Sequence, residues 1–240
     1  MKKIFLLLFV SLAMLTVKAQ KDIVVDPNAE VRTVSGSYHA VKVAGGIDIY
    51  LSQSDNEAIA VSASEDRYKE GIKTIVDNGI LKIYYEGEKN WGFSFKNRKL
   101  KVYISFKTLD KIEASGASDV VIAGTLSGES LSLELSGASD FKGAVKLTDL
   151  KMDLSGSSDV KIEGTAANVS IESSGASDVN GYGLIADMCT AKASGASDIN
   201  ITVNKEINAH ASGASDIYFK GTALIRDMHM SGSSNIGRKS

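Results

Sequence analysis

Residues 191–199 read Ala-Lys-Ala-Ser-Gly-Ala-Ser-Asp-Ile, and residues 209–217 read Ala-His-Ala-Ser-Gly-Ala-Ser-Asp-Ile. The two stretches differ only at Lys192 and His210. Their shared core, Ser-Gly-Ala/Ser-Ser-Asp/Asn, begins at Ser115, Ser136, Ser155, Ser174, Ser194, Ser212 and Ser231, at spacings of 21, 19, 19, 20, 18 and 19 residues. A fixed period of this length marks a solenoid, in which each repeat is one coil stacked on the last.

Aligning the copies shows what each column requires. The residue after the Asp/Asn is always apolar: Val120, Phe141, Val160, Val179, Ile199, Ile217 and Ile236. Ile112, Leu133, Met152, Ile171, Ala191, Ala209 and Met228 stand three residues before the motif. Ala114, Leu135, Leu154, Ser173, Ala193, Ala211 and Met230 stand immediately before it. Between those two columns the residue is polar: Glu113, Glu134, Asp153, Glu172, Lys192, His210 and His229. Inside-outside-inside alternation is a strand with one buried face. A coil of about twenty residues holds two or three strands of ~5 residues with their turns. The expected fold is therefore all-β, a parallel β-helix over residues 111–240 with coils of about 19 to 20 residues. The motif is its corner: the glycine allows a positive φ, and the serine and Asp/Asn side chains can bond nearby backbone. The third position, always Ala or Ser, is expected to be crowded.

Composition limits the functional classes. The 240 residues are 43% apolar, with 22 glycines, one proline and one cysteine. That is enough to bury a core, and it excludes an internal disulfide or a multi-cysteine zinc site. With 27 basic against 29 acidic residues there is no cationic surplus for nucleic acid. Lys2 and Lys3, the apolar run Ile4 to Thr16, and Val17-Lys18-Ala19 read as a signal peptide over 1–19, cleaved before Gln20. No later run is long and apolar enough to span a bilayer. The chain is expected to be exported, to the periplasm or to the cell surface and extracellular space.

Residues 20–110 alternate less regularly and form an expected N-terminal β region that caps or continues the solenoid. Asp77-Asn78-Gly79 reads as a tight hairpin turn, and Glu65 to Ile75 as room for a short helical turn. A solenoid end left bare exposes strand edges, so self-association through the solenoid ends is an expectation.

The recurring Ser-Gly-Ala-Ser-Asp, the leader, and Val43-Ala44-Gly45-Gly46-Ile47-Asp48 together resemble the head GIN domain family, exported proteins of Bacteroidota described as auto-transporter adhesins. The resemblance covers about residues 30 to 240, with Gly46-Ile47-Asp48 where the family's Gly-Ile-Asn would sit. It implies a β-helix-like solenoid and an adhesive role, and carries over no catalytic residues.

Several constellations are candidates for function. Tyr84, Tyr85, Trp91, Phe93 and Phe95, with Tyr103 and Phe106 close behind, crowd aromatics around an apparent hairpin at 86–99. Such rings stack on sugars or anchor a protein partner, or else cap the solenoid core. The ladder Asp119, Asp140, Asp159, Asp178, Asp198, Asp216 and Asn235 reads as a structural turn ladder, each side chain capping its own corner. A row of calcium sites is its alternative reading. No other cofactor is implied. His210 and His229 share a column one coil apart, too few ligands for a metal site. Cys189 falls in an inward column and is expected to be buried. The expected function is a non-enzymatic adhesin or cell-envelope binding module for a glycan or protein at the cell surface. A polysaccharide-active β-helix enzyme and a structural or sensory envelope protein are the alternatives.

Overall fold

The computed structural model describes residues 26–87 and 98–240. The leader expected over 1–19 and the aromatic residues Trp91, Phe93 and Phe95 lie outside the described residues. The chain is a parallel β-solenoid with coils of about 19 residues, as its sequence period requires. Elements in chain order are β1 (Glu30–Arg32), β2 (Ala40–Ala44), β3 (Asp48–Gln53), β4 (Ala58–Ser62), α1 (Asp66–Gly71), β5 (Ile72–Asp77), β6 (Ile80–Tyr85) and β7 (Lys101–Phe106). There follow β8 (Lys111–Ser115), β9 (Val120–Ser127), β10 (Ser130–Leu135), β11 (Phe141–Leu154), β12 (Asp159–Ser173), β13 (Asp178–Ala193), β14 (Asp198–Gly213), β15 (Asp216–Lys220), β16 (Leu224–Gly232) and β17 (Asn235–Arg238).

From β11 to β14 a single strand element runs through almost a whole coil, because the chain bends without leaving the ladder. Each coil pairs in parallel with the next in the register that the motif sets: Phe141 with Val160, Met152 with Ile171, Ala191 with Ala209. The residues of the inward columns stack into one continuous core, with Ile112, Leu133, Met152, Ile171, Val120, Phe141 and Val179 all buried. Ser173, a polar residue in an inward column, donates its hydroxyl to the Ser177 carbonyl at 2.7 Å. Cys189 is likewise buried, which pushes its thiol up to about 12.

The corner explains the glycine. At Gly175 the φ is +83°, and a Cβ built there would lie 2.4 Å from the Gly156 carbonyl oxygen of the coil below. That carbonyl accepts the Ala176 N–H at 2.8 Å. Glycine is thus demanded both by backbone handedness and by the closeness of the neighbouring corner. The third motif residue, by contrast, is exposed, as at Ala117 and Ala196. The crowding expected there falls one residue later, where Ser118, Ser139, Ser158, Ser177, Ser197 and Ser215 are buried. Their hydroxyls form a ladder. Ser158 Oγ donates to the Ser155 carbonyl at 3.1 Å and accepts the Ser139 N–H at 3.4 Å, and the pattern recurs at Ser118 and Ser139.

Coils at the N-terminal end are not stacked in chain order. β2 lies between β6 and β8, and β3 between β7 and β9, all in parallel. The coil made by β2 and β3 is therefore second in space, and that made by β6 and β7 is outermost. Antiparallel strands finish this end: β5 on β6, β4 on β7 and β1 on β4. The β5–β6 hairpin turns at Asn78 and Gly79, both at positive φ, and α1 takes the first part of the stretch expected to hold a helical turn, Ile72 to Ile75 already belonging to β5. Gly45-Gly46-Ile47-Asp48 forms the corner of the β2–β3 coil, and the Ile47 N–H donates to Ser118 Oγ at 3.3 Å, joining the serine ladder.

Gly45 and Gly175 separate the two demands on glycine, since a Cβ at Gly45 (φ +89°) would meet nothing within 4 Å. Gly45→Ala is expected to cost about 1–2 kcal/mol for the left-handed backbone alone, and Gly175→Ala about 3–5 kcal/mol because the carbonyl must also move. Urea denaturation of the two variants checks both the order and the gap.

Candidate functional site

The outward side chains before each motif line a groove of about 860 Å³ that runs along the stack from Glu113 to His229. Its shape follows from the strand alternation: what is not in the core must point out, and each outward column repeats at the ~4.8 Å strand spacing. One wall is the column Glu113, Glu134, Asp153, Glu172, Lys192, His210 and His229, and the other is the first serine of successive motifs, including Ser136, Ser155 and Ser174. Some of those serines are already engaged, Ser174 Oγ donating to the Leu154 carbonyl at 3.2 Å.

Charge is graded along this groove. Four acids occupy one end of the column and a lysine with two imidazoles the other. Salt bridges tie it together: Lys111 to Glu134 at 2.8 Å, Lys151 to Asp153 at 2.7 Å, Lys192 to Glu172 at 2.8 Å. The Lys192 ammonium holds the Glu172 carboxyl below its ordinary range. Next to it, His210 and His229 are register partners with ring centroids 6.2 Å apart, and His210 Nε2 meets Asp227 Oδ2 at 2.8 Å. Among the described residues no trio of His, Cys, Asp or Glu is arranged to hold a metal ion. Sequence reasoning singled out this column as a strand signature and the histidines as a pair. It missed that column and corner serines line one groove: alternation puts them on the same face two residues apart, but only the stacking register extends that face from coil to coil.

The Asp ladder sits on the corner, outside the core. Its carboxylates cap the next coil rather than their own: Asp178 Oδ1 accepts the Asp198 N–H at 3.1 Å, Asp198 Oδ1 that of Asp216 at 3.3 Å, and Asp216 Oδ1 that of Asn235 at 3.1 Å. The parallel register makes this so, since it sets each carboxylate against the N–H of the matching residue one coil on. Desolvation, then the neighbouring carboxylates, raises Asp119, Asp159 and Asp198 above the ordinary value of 3.8. Asn235 ends the row by donating Nδ2 to Asp216 Oδ1 at 3.0 Å.

The aromatic candidates separate. Tyr84 is exposed on β6, whereas Tyr85 is half-buried against the core beneath the Arg98 guanidinium, 4.8 Å from its ring. A Cβ at Gly71 or Gly87 would strike the Tyr85 ring, so that ring is enclosed. Phe106 is buried in the core. Tyr103 stacks on Tyr50 of the adjoining coil with centroids 5.1 Å apart, and its hydroxyl donates to Asp26 Oδ2 at 2.9 Å. Tyr50 was not among the sequence candidates; its partner is brought to it by the inverted coil order.

Stacked parallel coils, a closed N-terminal end and an outward groove define a short β-solenoid that presents repeated polar side chains along one side. The chain belongs to the family described as "putative auto-transporter adhesin, head GIN domain", which matches residues 37–223. A "putative adhesin" from Bacteroides fragilis shares the fold at a TM-score of 0.79 and 22% identity, covering 88% of this chain and 96% of that one. A "putative adhesin" from Parabacteroides distasonis does so at 0.70 and 19%, covering 87% and 95%. A "putative lipid binding protein" from the same species does so at 0.67 and 19%, covering 90% and 98%. No curated protein matches this chain. Among the described residues no helix is long and apolar enough to cross a membrane.

The raised carboxyls have a consequence for stability. A carboxyl whose folded value lies above its unfolded value binds protons more tightly when folded. Its contribution is fully present below 3.8 and lost as pH rises through the raised folded value. Asp159→Asn keeps a side-chain oxygen acceptor and removes one charge, so it is expected to stabilise the protein at pH 7 by up to about 1 kcal/mol, the ceiling for exposed charges. The gain should shrink as pH is lowered toward about 4. Thermal unfolding of the two proteins across that range is the check.

Proposed function

We propose that this protein is an exported, non-enzymatic adhesion module of the cell envelope that binds an extended glycan along the groove beside its corner serines. The observation that carries this reading is the groove itself, which offers hydroxyl, carboxylate, ammonium and imidazole groups over successive coils. A step of ~4.8 Å between coils is close to the length of one sugar unit, so successive sugars would each meet a corner serine beside a different charged group. Rigid strands hold those groups in place, so little ordering entropy is lost on binding. Membership of an adhesin family supports the adhesive role and an exported or surface location. The exposed ring of Tyr84, with Trp91, Phe93 and Phe95 as read from the sequence, supplies the second place for a sugar or a protein partner to dock. Calcium on the Asp ladder is the remaining contributor to be tested.

The test is a glycan array with purified residues 20–240, the double variant Lys192→Ala/His210→Ala and Trp91→Ala, each with and without calcium. Binding weakened tenfold or more by the double variant, equivalent to about 1.4 kcal/mol, is the expected result. Loss confined to Trp91→Ala moves the site to the aromatic segment, and loss only on calcium removal moves it to the Asp ladder. A blank array sinks sugar recognition and leaves a protein partner, while any shortening of a bound glycan during incubation revives the enzymatic alternative.

A further inference from the structure

The two ends of the solenoid are built differently. At the N-terminal end the outermost coil is already paired by antiparallel β5 and β4, and its core residues Leu81, Ile83, Val102 and Ile104 are buried. At the other end β16 and β17 each pair on one side, with β14 and β15, and among the described residues no strand covers their outer edge. Every residue of β16 is exposed. Ile225, Met228 and Met230 occupy the inward columns that bury Ile207, Ala209 and Ala211 one coil earlier, yet they stand 46%, 45% and 46% exposed. An unpaired strand edge carrying a row of apolar side chains is a template for another strand.

We propose that this edge is the interface of a twofold homodimer, in which β16 of one copy pairs antiparallel with β16 of a second. At the N-terminal end β1 and β5 also pair on one side only, but they run antiparallel and the coil core beneath them is buried, so the end that leaves inward columns exposed finds its match in a like end. The sequence of β16 favours its own copy. With the twofold axis at Met228, the two Met228 side chains meet, and Asp227 stands directly opposite His229 of the partner subunit. Asp227 is within hydrogen-bond reach of His210, so its carboxylate lies on the outward side where a facing imidazole would add to the pair. A twofold axis makes each such contact occur twice.

The proposal is tested by light scattering on purified residues 20–240 across a concentration series, together with cysteine cross-linking. Expected are a mass twice that of the monomer, a return to monomer mass in Met228→Lys with an unchanged circular dichroism spectrum, and spontaneous disulfide dimers of Met228→Cys. Residues directly opposite in an antiparallel pair lie ~4.5–5.5 Å apart at Cα, within disulfide range. Leu224→Cys, which this register places opposite Gly232, should not cross-link, and buried Cys189 does not compete. The exchange Asp227→His/His229→Asp should keep the dimer, whereas Asp227→Lys should weaken it. A monomer at every concentration, a dimer indifferent to Met228→Lys, or cross-linking as efficient through Leu224→Cys each overturns the proposal. The first of these leaves the edge to a strand of different sequence.

Discussion

A carbonyl oxygen pressed against the α-carbon of the next corner is the contact on which this solenoid depends. The Gly156 oxygen accepts the Ala176 N–H and leaves no room for a Cβ at Gly175, and the same closeness recurs from Gly137 to Gly232. That contact fixes the rise between coils at the corner, where no strand ladder exists to fix it. Once corners stack at strand spacing, the columns on either side fall into register, and each inward residue finds a like residue above and below. Strand pairing and core packing then reinforce one another through the whole stack.

Corner stacking also decides where polar groups can be satisfied. The fourth motif residue is driven inside, and serine suits it because one hydroxyl can accept from the neighbouring coil and donate within its own turn. Alanine there would leave buried backbone donors unpaired. Outside, the aspartates gain a backbone N–H from the next coil but are brought beside one another, and the raised carboxyls of Asp119, Asp159 and Asp198 record that tension. The row is tolerable because it is exposed and each charge has a fixed donor. Stability gained by repeating a good corner is thus partly returned as repulsion along its surface.

Much of this architecture is legible in the sequence. The period, the three columns and the recurring motif specified coil length, parallel pairing and which side chains form the core, because in a solenoid local alternation and global register are the same information. The N-terminal coil order was not legible. Val41-Lys42-Val43 and Leu81-Lys82-Ile83 carry equivalent alternation, so nothing local says which stacks on β8 and which lies outside. The aspartates' choice of the next coil's N–H depends on a distance between coils, which sequence spacing does not contain. Tyr85 differs from Tyr84 because it continues the inward phase of Leu81 and Ile83, with Gly71 and Gly87 leaving room for its ring. The groove's walls are neighbours in the sequence, as at Glu172 and Ser174, but its length comes from the stacking of successive coils.

The inverted first coil has a structural logic of its own. By placing β2 and β3 inside the stack and β6 and β7 outside, the chain leaves β4 and β5 free to run back antiparallel over the outermost coil, where parallel pairing would have required yet another coil. Closure at that end is therefore achieved by a change of strand direction, with Asn78-Gly79 supplying the reversal. Among the described residues no equivalent reversal follows β15, so β16 and β17 keep the corner motif, with Ser231 to Asn235 intact, and no strand of these residues covers their inward columns. A motif shaped to receive another coil, repeated at an edge with none upon it, has the geometry of a surface for association, and the outward groove runs up to that edge at His229. In a twofold pair the two grooves would approach each other there, so a binding module that is short as a single chain could present a longer continuous face as a pair.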